Sequence, residues 1–193
     1  MDNGLKIIRK DALKKGLILA VILLILDILA LYILAHSQSI LMVFLAYFFG
    51  YLVIPIIAAV ILIKGLRKKI GGYWNLRQAT SGIFIIFLSA YLISSAGSFL
   101  FVKFVQPQIT LNAKNNLVNL LTSFLDKIGA QPDKIDETVE NIETQFEAIG
   151  HYSTSAVISN LLSSIIVLFI TALIFAAIFK REQTINYKQS DLS

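Results

Sequence analysis

Apolar positions in this chain do not alternate with polar ones; they run on unbroken. Four such runs stand out, at residues 16–35, 40–63, 81–105 and 156–179. A helix needs about 20 apolar residues to cross a bilayer, and each run supplies them. The first, GLILAVILLILDILALYILA, carries a single carboxylate, Asp27, near its middle. An Asp at mid-span costs roughly 2.5–3.5 kcal/mol to insert, while each Leu, Ile or Val returns about 0.3–0.6 kcal/mol. The fourteen Leu, Ile and Val between Leu17 and Leu34 outweigh the one acid. The run is longer than the apolar part of a cleaved secretion signal, and Ile33 stands where a small residue would be wanted. It reads as a retained span.

Between the runs the pattern changes. Residues 1–15 are basic, with Leu5, Ile8 and Ala12 at helical spacing, and predict a solvated extension of the first span. His36–Ser39 is a short turn, so the first two spans are antiparallel neighbours. Pro55 falls inside the second span, where it removes a backbone donor and predicts a bend. Residues 64–80 form a basic loop with a Gly71-Gly72 break. In 106–155, Leu117, Leu120, Leu121, Phe124 and Ile128 make one amphipathic stripe. Ile135, Val139, Ile142, Phe146 and Ile149 make a second, spaced 4-3-4-3. Gly129 and Pro132 punctuate the turn between them, which predicts a helical hairpin closing face to face. The expected fold is all-α: an integral membrane bundle of four transmembrane helices with an extracytoplasmic two-helix cap between spans 3 and 4. A tail, 180–193, follows the last span.

Composition supports this. Charged residues are 15% of the chain and mean hydropathy is +0.75, against about 25% charged in soluble domains. The absence of cysteine excludes disulfides, thiolate metal sites and cysteine nucleophiles. Residues 1–15, 64–80 and 180–193 hold 13 of the 17 Lys and Arg, whereas 106–155 holds seven acids. The positive-inside rule then expects both termini in the cytoplasm and the hairpin outside. Arg67, Lys68, Lys69 and Trp74 are the candidates for contact with anionic headgroups on the cytoplasmic side.

Small residues mark the packing faces. Gly82, Ala90, Ser94 and Ser98 share one face of the third span, and Ser159 and Ser163 share one of the fourth, with Asn160 beside them. Such residues let helices approach closely in lipid, which predicts contact with protein, either within this chain or with a partner or second copy.

Asp27 is the sharpest candidate for chemistry, because an ionisable group inside a span is a functional-site hypothesis. No Lys or Arg lies in the interior of any span, so hydroxyls are the partners the chain offers. Matching depth from each span's midpoint gives Tyr51 on the second span and Tyr91, Ser94 and Ser95 on the third. The carboxyl then fixes helix register, relays a proton or cation, or pairs with a base on a partner subunit. His36 and His151 lie at the outer surface without a three-ligand set, so no metal is expected. No nucleophile elbow, phosphate loop or nucleic-acid patch appears, and no cofactor is expected.

With these elements in place, the chain resembles the bacterial membrane family catalogued as domain of unknown function 4199. The resemblance rests on Ala12-Leu13-Lys14-Lys15-Gly16-Leu17-Ile18-Leu19, on the basic run into Gly71-Gly72-Tyr73 with Gln78-Ala79, and on the acidic helix before the fourth span. It implies four spans, a bacterial inner-membrane location and no established activity. The expectation for function is a non-enzymatic accessory or scaffold subunit associating through spans 3 and 4. The alternative is a small transporter or channel subunit using Asp27 as a proton or cation site.

Overall fold

The computed structural model describes the backbone of residues 2–150 and 154–181, and side-chain surroundings for 8–147 and 158–181. Among the described residues seven α-helices follow in order: α1 Asp2–His36, α2 Ile40–Tyr47, α3 Ile54–Lys69, α4 Leu76–Leu100, α5 Ile109–Lys127, α6 Pro132–Gly150 and α7 Thr154–Phe179. A π-helical stretch, Phe48–Val53, joins α2 to α3, and another, Phe101–Val105, extends α4. Among the described residues four segments are long and apolar enough to cross a membrane: Ile8–His36, Ile40–Lys69, Leu76–Val105 and Ile158–Phe179.

The frame of the bundle is the pair α1 and α4. Ile8 lies against Gly82, Gly16 against Ser89, and Leu24 against Gly97. Farther along, Asp27 meets Ser98 and Tyr32 meets Gln106. The partners advance together along both helices, so the two run parallel, with bonded residues 71 and 74 positions apart. Glycine permits the approach. A Cβ at Gly16 would sit 2.9 Å from the Ile86 carbonyl and collide with the Ser89 hydroxyl. One at Gly97 would sit 2.8 Å from Leu24. Close backbone approach is how helices associate where lipid removes the hydrophobic drive between them.

Residues 8–15 depart from the solvated extension expected of them. They continue α1 without a break and bury Ile8 and Ala12. Asp11, 8% exposed, pairs with Lys69 of α3 at 2.7 Å. The α4 start also differs from the expected residue 81. Asn75 accepts from the Gln78 N–H at 2.9 Å while Gln78 accepts from the Asn75 N–H at 3.1 Å. This reciprocal capping box carries the helix back to Leu76.

Each end of the bundle is tied by a side chain that caps a helix C-terminus. At the basic-loop end, Gly71 and Gly72 take φ of 98° and 84°, a conformation open to glycine. They turn the chain so that Trp74, 2% exposed, drops into the core. Its indole donates to the Phe179 carbonyl at 2.8 Å, and its backbone pairs with Arg181. At the hairpin end, Asn116 of α5 donates to the carbonyls of Leu34 and Ser37, at 2.8 and 2.7 Å. Leu117 and Leu120 pack with Leu34, Val43 and Ala113. The α5 stripe therefore seats on α1 and α2 as well as on α6, and Phe124 and Ile128 stay exposed instead of closing the hairpin. The second stripe buries Ile142.

Gly16→Val should lower the stability of the purified protein by about 1–3 kcal/mol, the usual cost of overpacking. Gly50→Ala meets nothing within 4 Å and should be neutral or slightly stabilising. Thermal unfolding in detergent compares the two; equal midpoints would remove Gly16 as the point of closest packing.

Candidate intramembrane site

Asp27 projects from α1 into the cleft between α1, the second span and α4, half-buried. The Ser98 hydroxyl donates to its carboxylate at 3.1 Å. Tyr51, on the π-helical stretch, faces the same carboxyl, and Tyr47 stacks on Tyr51 with ring centroids 5.2 Å apart. Pro55 explains that stretch. Its ring would clash with the Tyr51 carbonyl in a regular α-helix, so the backbone widens and Ile54 donates to Phe49, five residues back. The bend expected at Pro55 is thus taken up as a π segment, which re-aims the tyrosines.

Two cavities meet at Asp27. One, of about 460 Å³, lies towards the basic-loop end and is walled by all four spans, including Leu19, Pro55, Phe87 and Phe175. The other, of about 480 Å³, lies towards the hairpin end and is lined by Tyr47, Ser98, Phe101 and Val102. Asp27, Tyr51 and Ser95 border both. Both π segments contribute to the second cavity, so the helices leave α-geometry around this carboxyl. Departures of this kind gather at functional sites.

Not every residue expected around Asp27 reaches it. Tyr91 and Ser94 line the first cavity, but Tyr91 donates to Ser164 of α7 at 3.0 Å and Ser94 to the Tyr91 carbonyl at 3.3 Å. The direct donor is Ser98, a turn farther along α4 and expected on the packing face. Midpoint matching misses it because the glycine contacts, not the centres of the apolar runs, set the α1–α4 register. Gly82, Ala90 and Ser94 are buried within this chain. Ser159, Asn160 and Ser163 are exposed, and Ser164 is the member of that region which touches α4.

The headgroup set divides too. Lys68 is exposed, while Lys69 pairs with Asp11 and Arg67 donates to the Phe179 carbonyl at 3.4 Å. Trp74 is core, not interface, because the Gly-Gly turn directs it inward. His36 stacks on Tyr32 at 5.9 Å, and His151 lies outside the described residues. Among the described residues no three metal-ligating side chains cluster.

The profile of the family described as "Protein of unknown function (DUF4199)" matches residues 14–181. The chain belongs to this family. The matched range ends at Arg181, the residue bridged to Trp74, so the family's sequence unit takes in the basic-loop clasp, the hairpin and the Asp27 cleft. Comparison with curated proteins and with solved structures gave no match.

A double-mutant cycle of Asp27→Leu with Ser98→Ala should show a coupling of about 0.5–1.5 kcal/mol, the range for hydrogen bonds between membrane helices. Strict additivity in the unfolding free energies would mean that the hydroxyl does not hold the carboxyl.

Proposed function

We propose that this chain is a small membrane-embedded subunit that takes up a proton or a hard monovalent cation at Asp27. The observation that carries this reading is one carboxylate at the shared wall of two cavities, among the hydroxyl-bearing Ser98, Tyr51, Ser95 and Tyr47. One acid with neutral oxygens carries a single negative charge, matching a single positive one. Oxygen donors favour hard ions over soft metals. In the full-length protein, wild type should bind radiolabelled sodium or rubidium, or pass protons into dye-loaded vesicles. Asp27→Asn should lose at least tenfold of the active mode, since one pH or affinity decade is about 1.4 kcal/mol. Equal binding and flux in both proteins would end this reading.

A second reading, a non-enzymatic accessory subunit, draws on a separate observation. Ser159, Asn160 and Ser163 leave polar groups exposed on α7 inside an apolar span. Polar groups in lipid are costly unless another helix satisfies them. On this reading, a membrane protein partner or a second copy covers that face. The α4 small-residue face is already used within the chain and contributes nothing to it.

The orientation we propose is both termini in the cytoplasm of a bacterial inner membrane. The 13 Lys and Arg of residues 1–15, 64–80 and 180–193, against four elsewhere in the sequence, support it. The chain has no cysteine, so single-cysteine variants report cleanly. In intact cells Glu140→Cys should label with an impermeant maleimide and Lys68→Cys should not; the reverse pattern inverts the topology. Asn160→Cys should cross-link to a second polypeptide if α7 docks, and only monomer would count against the accessory reading.

A further inference from the structure

We propose that the groove between the start of α4 and the end of α7 seats one anionic phospholipid. The groove measures about 610 Å³ and lies apart from the Asp27 cleft. Its mouth carries Arg77, Thr80 and Ser81, and its floor is Phe84, Phe169 and Leu173. Polar and apolar residues are therefore layered along the helix axes. Arg77 stands one residue into α4, and Phe84 lies seven residues deeper, roughly 10 Å at 1.5 Å per residue. That span matches a phosphate and glycerol at the mouth with the first acyl methylenes below.

The charge is right for an anion. Arg77 is exposed, and among the described residues no acidic side chain lines the groove. Thr80 donates its own hydroxyl to the Leu76 carbonyl at 2.9 Å. Ser81 makes no side-chain hydrogen bond among the described residues, so its hydroxyl is available to a phosphate oxygen. A guanidinium presents a fork of donors that fits phosphate in a way an ammonium does not. The floor is shaped by Phe84 and Phe169, which meet edge to face at 5.5 Å and leave a fixed trough beside Leu173. A basic pocket between spans is a recognised lipid-headgroup seat. Here the acyl trough is continuous with it, which favours a lipid over a free anion.

Native mass spectrometry of the full-length protein, with phosphatidylglycerol or phosphatidylcholine added to the detergent, tests this. Wild type should retain phosphatidylglycerol about fivefold better than phosphatidylcholine, the size of one base acting at a lipid surface. Arg77→Gln should abolish that preference, and Lys10→Gln, on an exposed lysine outside the groove, should leave it intact. Leu173→Trp should fill the trough and reduce retention of both lipids. Arg77 and Leu173 are both exposed, and unchanged helical circular dichroism checks that the variants fold. Equal retention of the two lipids by wild type would overturn the proposal. So would an Arg77→Gln protein that keeps the preference, or a Leu173→Trp protein that retains lipid as wild type does.

Discussion

Two helices that run the same way cannot be joined by a short turn, and that constraint shapes this molecule. The second span must carry the chain back before α4 can lie beside α1. Once it does, the two helices close at Gly16, where a Cβ would meet the Ile86 carbonyl, and at Gly97, where it would meet the Leu24 side chain. In lipid this closeness is the source of cohesion, since burying Leu against Leu gains little over leaving it against acyl chains. The register it imposes brings Asp27 level with Ser98. Had the helices met a turn earlier, the carboxyl would have faced Ser94, whose hydroxyl is instead spent on its own helix.

The non-membrane segments serve the same frame. A helix ends with carbonyls that have no partner, and two of those ends are closed here by distant side chains. Trp74 and Arg67 reach the last carbonyl of α7, and Asn116 reaches the last turn of α1. The basic loop and the hairpin thus act as clasps at opposite ends. They also explain why Trp74 and part of the α5 stripe are buried in places their composition does not suggest. A tryptophan beside a basic run reads as an interfacial anchor; a Gly-Gly turn with both φ positive makes it a core residue.

Around Asp27 the structure gives up regularity. The proline's steric conflict is relieved by a π segment, and a second π segment ends the third span beside the same cavity. The fourth span is held through Tyr91 to Ser164, through the aromatic pairs Phe84–Phe169 and Phe87–Phe175, and through the Trp74 and Arg67 bonds to its last carbonyl.

Local composition decided a good deal. The lengths of the apolar runs determine four crossing helices, because the bilayer thickness admits few alternatives. The two stripes with Gly129 and Pro132 between them determine a helical hairpin, since periodicity and turn chemistry are properties of neighbouring residues. The capping box at Asn75 and Gln78 was missed, because the apolar run begins only at residue 81 and the basic residues before it read as a loop. What tertiary structure decided is which residues face each other. Ser98 rather than Ser94 on the carboxyl, Trp74 inside rather than at the surface, and Ser159, Asn160 and Ser163 left exposed all follow from helix register and direction. The Asp27–Ser98 pairing depends on where α1 and α4 pack at Gly16 and Gly97, a relation between residues some 70 positions apart that no local pattern contains.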